Sequence, residues 1–72
     1  MEIGVKIRNI RQQSLLSQQD FAQILGVSFC TVNRWETGKT KPAYRALKTL
    51  NEFCRANNIE FNVIKELMEE NK

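Results

Sequence analysis

Apolar residues recur along this chain at helical spacing, in blocks separated by serine, glycine, proline or asparagine. Ile3, Ile7 and Ile10 form the first stripe and predict a helix over about 2–13, with Lys6, Arg8, Arg11 and Gln12 mostly on its outer side. Ser14-Leu15-Leu16 is a short connection whose last residue suits burial. Ser17 opens a second helix over about 18–25. Its hydroxyl can accept from an otherwise unpaired amide of the first turn, and Asp20 sets a carboxylate at the positive helix end. Phe21, Ala22 and Leu25 face inward, and the small Ala22 lets the next helix cross closely. Gly26 ends the helix, because glycine takes left-handed backbone angles at little cost, and Val27 plugs the turn.

Ser28 caps a third helix over about 29–37. Val32 and Trp35 share a face and anchor it to the core, while Phe29, Cys30, Asn33 and Arg34 fall on or near the other side. Gly38 stops this helix, and Lys39-Thr40-Lys41 forms a basic loop. Pro42 suits the first turn of a fourth helix over about 42–56, with Leu47, Leu50, Phe53 and Cys54 inward. Asn57-Asn58 is a left-handed exit. A fifth helix over about 61–70 carries Phe61, Ile64, Leu67 and Met68 on its apolar side. The alternation in Ile59-Glu60-Phe61-Asn62-Val63 leaves a short strand as the competing arrangement there. The expected architecture is all-α: one domain over 1–72, five helices, and a two-helix unit over about 17–38. Such a unit can seat its second helix in a DNA major groove while a small core holds that helix from behind.

The formal charge of +3 hides an uneven distribution. Residues 1–48 carry Lys6, Arg8, Arg11, Arg34, Lys39, Lys41, Arg45 and Lys48 against Glu2, Asp20 and Glu36, a net of +5. Residues 49–72 carry Arg55, Lys65 and Lys72 against Glu52, Glu60, Glu66, Glu69 and Glu70, a net of −2. The basic part coincides with the two-helix unit, which suits a nucleic-acid face. The chain has no histidine, no Gly-rich phosphate loop and no paired carboxylates arranged for catalysis, which argues against an enzyme. Cys30 and Cys54 lack metal-ligand spacing and are expected as reduced thiols, so neither a metal nor a cofactor is implied. No apolar run reaches membrane-spanning length and no signal-peptide pattern opens the chain, which leads to the expectation of a cytoplasmic protein.

Ile7, Arg11, Leu16-Ser17-Gln18, Phe21-Ala22, Leu25-Gly26-Val27-Ser28, Thr31-Val32, Trp35-Glu36, Gly38 and Pro42 follow one another in a recognisable order. In that order, over about residues 3–56, the chain resembles the phage-repressor-like helix-turn-helix proteins, also called Cro-type or XRE-family regulators. The strongest piece is the ending Trp35-Glu36-Thr37-Gly38-Lys39-Thr40-Lys41-Pro42. The resemblance implies a five-helix lambda-repressor-like DNA-binding domain and, for most members, transcriptional regulation. Gln18 then matches a glutamine that contacts a DNA phosphate and braces the recognition helix. Ser28, Phe29, Cys30, Thr31, Asn33 and Arg34 fall at or beside positions that face bases or phosphates, and Lys39, Thr40 and Lys41 match a loop clamping the sugar-phosphate backbone. Arg11 and Glu36 resemble an internal ion pair, with Val32, Trp35, Ala22 and Gly26 structural.

The chain departs from its relatives at Phe29-Cys30, where many carry Gln, Arg or Ser. A phenylalanine makes only apolar contact with a base, so Arg34 becomes the candidate for a guanine. Phe29 has two rival roles, a protein-binding hot spot or packing on helix two, and Cys30 is either a small side chain near the groove or a redox-sensitive thiol. The implied partners are double-stranded DNA and a second copy of the chain, with a protein partner reached through helix five. The competing function is a protein-interaction module, antitoxin-like or polymerase-contacting, on the same fold. Trp35 separates core from surface most sharply. Trp35→Ala is expected to destabilise the domain by about 3–5 kcal/mol, seen as a large drop in thermal midpoint; an unchanged melt would contradict the core role.

Overall fold

The computed structural model describes residues 3–61. Four helices follow in order: α1 (Ile3–Gln13), α2 (Gln18–Leu25), α3 (Phe29–Thr37) and α4 (Tyr44–Ala56). The described chain is all-α, as expected, but it holds four helices rather than five. Of the fifth helix expected over 61–70, only Phe61 is described, and it is not helical; the remainder lies outside the described residues. Residues 59–61 form neither helix nor strand, and Ile59 and Phe61 are half-buried against the core.

The inward stripes meet where expected. Ile7 of α1, Phe21 of α2, Val32 of α3, and Leu50 and Cys54 of α4 are fully buried. The rings of Phe21 and Phe53 meet edge to face, with centroids 5.4 Å apart and planes at 79°, a favourable alignment of ring edge and π-face. Helix α3 takes the central place: α1 and α2 both pack on it, and α2 also contacts α4. Helix α1 crosses α3 so closely that a Cβ added at Gly4 would overlap the Trp35 carbonyl oxygen. Gly4 is buried for this reason, and the crossing outweighs glycine's poor helix propensity.

All four helices end alike. In each, one residue takes left-handed angles: Leu15 (φ 57°), Gly26 (φ 75°), Gly38 (φ 81°) and Asn58 (φ 57°). The next amide reaches back to a carbonyl five residues earlier: Leu16 to Arg11, Val27 to Ala22, Lys39 to Arg34 and Ile59 to Cys54. This pattern satisfies carbonyls that the helix end would otherwise leave unpaired, and an apolar residue after the left-handed one commonly packs back on the helix. Leu16, Val27 and Ile59 pack against the core in that way. The exits at Gly26, Gly38 and Asn58 were legible from residue type; the exit at Leu15 was not.

Helix α4 begins at Tyr44, two residues later than Pro42 suggested. Ala43 is extended (φ −70°, ψ 167°) and stands as an N-cap without a side-chain hydrogen bond. Pro42 is buried in the preceding loop, so its ring serves as an apolar anchor instead of a first helical residue.

Leu15 exposes 92% of its surface and holds a backbone conformation that a branched residue resists. Leu15→Asn, which gives α1 the residue type that α4 already uses, is therefore expected to stabilise the fold by about 0.5–1 kcal/mol. A higher urea midpoint at unchanged slope checks this; a lower midpoint would show that Leu15 makes a contact the fold needs.

Candidate functional site

Helix α3 has two chemically distinct sides. Val32, Trp35 and Glu36 are buried, which holds the helix by an apolar pair and one carboxylate. Phe29, Cys30, Arg34 and Thr37 are exposed on the opposite side, with Asn33 half-buried at its margin. The helix is opened by Ser28, whose hydroxyl oxygen accepts from the Thr31 amide at 3.1 Å and lies 2.8 Å from the Thr31 hydroxyl. Ser28 and Thr31, both expected near DNA, thus spend much of their hydrogen-bonding capacity on each other. The Thr37 hydroxyl donates back to the carbonyls of Asn33 (2.9 Å) and Arg34 (3.3 Å). Thr37 belongs to the outer face but was not singled out from the sequence, although it lies one helical turn beyond Asn33.

The position of α3 is set by Glu36, whose side chain has no exposed surface. Arg11 donates to it through Nε (2.7 Å) and Nη2 (3.0 Å), a two-pronged contact that matches a planar guanidinium to a carboxylate. Its remaining Nη1 donates to the Leu16 carbonyl at 3.0 Å and so ties down the α1–α2 turn. Gln18, at the start of α2, donates from Nε2 to Glu36 Oε1 at 3.1 Å and to Asn33 Oδ1 at 3.4 Å. Arg8 reaches the same carboxylate more distantly, at 3.5 Å. The expected Arg11–Glu36 pair is therefore part of a network around the buried Glu36 carboxylate that joins α1, α2 and α3. Burial alone would raise the Glu36 carboxyl, but hydrogen bonds from Arg11 and Gln18, with the Arg11 charge, outweigh it and hold the group below its ordinary 4.5. The hydrogen bond to Glu36 in turn raises Arg11.

The other expected residues fall as follows. Ala22 is buried beside Phe21, and Gly26 makes the α2–α3 turn. Lys39, Thr40 and Lys41 lie exposed in the loop after α3, its first amide bonded to the Arg34 carbonyl at 2.9 Å. Over residues 28–43 the one acidic side chain is Glu36, and it is buried and paired. Among the described residues, the outer face of α3 and its following loop show solvent the cations Arg34, Lys39 and Lys41, and residues 28–43 contribute no exposed carboxylate. Both cysteines are free thiols, Cys30 exposed and Cys54 buried, and burial pushes Cys54 up to about 11. Half of the Phe29 surface is exposed at the amino end of α3. Among the described residues no helix is long and apolar enough to cross a membrane.

Comparison with known proteins matches these features. A family model described as helix-turn-helix covers residues 7–57. The HTH-type transcriptional activator BcrR of Enterococcus faecalis is 34% identical over 53 residues, which is 74% of this chain and 26% of that protein. The chain thus spans about a quarter of the length of this relative. No solved structure gives a significant match.

Because Glu36 titrates lower in the folded chain than in the unfolded one, its stabilising contribution is complete above pH 4.5 and is lost as the solution is acidified through its folded-state value. Glu36→Gln keeps the shape but leaves Arg11 without a counter-charge, and is expected to cost about 3 kcal/mol at neutral pH. Urea melts at neutral pH and well below pH 4.5 check both points. The parent should lose stability on acidification and the variant much less; parallel losses would remove Glu36 as the acid-sensitive group.

Proposed function

This chain belongs to the helix-turn-helix family, in its XRE branch. On that premise we propose that residues 1–72 act as one sequence-specific double-stranded DNA-binding domain of a transcriptional regulator. The observation that carries this reading is the two-sided α3: a buried anchor of Val32, Trp35 and Glu36 behind an outer face and loop that expose Arg34, Lys39 and Lys41.

The proposed mechanism is positional. Helix α3 enters the major groove with Phe29, Cys30, Asn33 and Arg34 toward the bases. The first amides of α2 and α3 have no intrahelical acceptors and face the phosphates, helped by the positive ends of the helix dipoles. Lys39, Thr40 and Lys41 hold the sugar-phosphate backbone beside α3. Gln18 spends its amide nitrogen on Glu36 and Asn33, so its role is to brace the recognition helix while its own backbone amide meets a phosphate. Phosphate contacts supply most of the affinity and make it fall with salt. One such module buries roughly 600–1,000 Å², so useful specificity calls for two copies on a two-fold site. Half-sites then lie about 34 Å apart or at a multiple of that spacing. The relative's activating role gives a precedent for a regulator, with the remaining length of that protein lying beyond the matched part.

Binding to random-sequence duplex at low salt, lost as salt rises, is the expected result. DNA-independent capture of a protein, with no duplex bound at any salt, would replace this reading by the protein-interaction one. Within DNA binding, two variants separate the roles. Arg34→Ala is expected to relax preference at one base pair by about 1–3 kcal/mol. Lys39→Ala is expected to weaken all sequences alike and to reduce the salt slope by about one.

A further inference from the structure

The hydrogen bonds of α3 narrow what its outer face can recognise. Ser28 and Thr31 are committed to the amino-terminal cap and to each other. Thr37 is turned back onto the helix, and the Asn33 side-chain Oδ1 accepts from Gln18. What remains on the leading turn is Phe29, half exposed, beside the exposed Cys30 thiol. Five residues on stands the exposed Arg34, whose guanidinium forms no ion pair among the described residues. An exposed phenyl ring on an otherwise polar and cationic face has one apolar counterpart on the major-groove edge of DNA: the C5-methyl group of a pyrimidine.

Resting on the DNA-binding reading above, we propose that Phe29, with Cys30 beside it, is the specificity-determining contact for a pyrimidine C5-methyl group, paired with a guanine read by Arg34. Phe29 and Arg34 are five residues apart, about 7.5 Å along the helix axis and about 140° around it, so they reach different base pairs. The ring excludes water from the methyl group, and neither side chain at 29 or 30 offers a strong donor to choose between bases by hydrogen bonding. Discrimination at that position thus comes from the methyl group rather than from the base-pair edge.

The test uses duplexes recovered by selection from a random pool, resynthesised with deoxyuridine in place of thymidine, first throughout and then one position at a time. Uracil keeps every hydrogen-bonding group of thymine and lacks only the methyl. Removing the methyl at that position in a single half-site is expected to weaken binding about fourfold, the factor for taking one methyl-sized group out of water. Phe29→Ala should bind the thymine and uracil duplexes equally, and Phe29→Leu should keep part of the preference. Because Phe29 is a surface residue, a circular dichroism melt shows directly that the variants are folded. Equal binding of thymine and uracil duplexes by the parent, or full discrimination by Phe29→Ala, overturns the proposal and leaves DNA binding standing. No binding to any duplex overturns both readings together.

Discussion

A carboxylate sealed from water joins three of the four helices, and the disposition of α3 follows from it. Glu36 cannot stay ionised in such a place without donors, and it has them from two directions: the Arg11 fork from α1 and the Gln18 amide from α2. Each donor is fixed in turn, Arg11 by the Leu16 carbonyl and Gln18 by Asn33. The arrangement is rigid because a buried charge tolerates few geometries; a shift of α3 would strand Glu36 or Arg11 without a partner. Apolar burial of Val32 and Trp35 gives α3 its attachment. The carboxylate fixes its rotation and its register against α1 and α2.

The helix exits serve the same end by other means. Four left-handed residues and the back-bonds that follow them turn the chain sharply, so that short connections bring short helices into contact. Short helices are marginal alone and depend on tertiary packing. Here α2 and α3 have eight and nine residues, and each is closed at both ends, by a serine in front and a glycine behind. Caps at both ends and contacts at the back leave few structural duties to the exposed side chains of Phe29, Cys30 and Arg34 on the outer side of α3. A surface without structural duties is where a small domain can vary its side chains without risking its fold.

The polar groups on that outer side are less available than their number suggests. Serine and threonine hydroxyls near the start of α3 are used to begin the helix, and the one near its end is used to finish it. A sequence rich in hydrogen-bonding residues thus presents a surface dominated by one aromatic ring and one guanidinium. The distinction matters for recognition, because a group already bonded within its own helix must break that bond before it can serve a ligand.

The order of the elements was written in the chain. Helical periodicity, serine caps and glycine or asparagine exits are local signals, and they located α1, α2 and α3 closely and the end of α4 as well. The inward positions Ile7, Phe21, Val32, Trp35 and Leu50 followed from spacing alone. The resemblance to helix-turn-helix proteins supplied the pairing of Arg11 with Glu36. Residue type could not show how deeply that pair is buried, or that Arg8 and Gln18 share the same carboxylate, because these facts depend on how three helices meet. Gly4 looked unremarkable until α1 was laid against the Trp35 carbonyl. Leu15 gave no sign of its left-handed angles, since nothing local favours them and only closure of the α1–α2 turn imposes them. Pro42 fitted a helix start by type, yet burial in the loop moved that start to Tyr44. Local chemistry determines where elements begin and end; which polar groups remain for a partner is decided only when the helices pack and use up the rest.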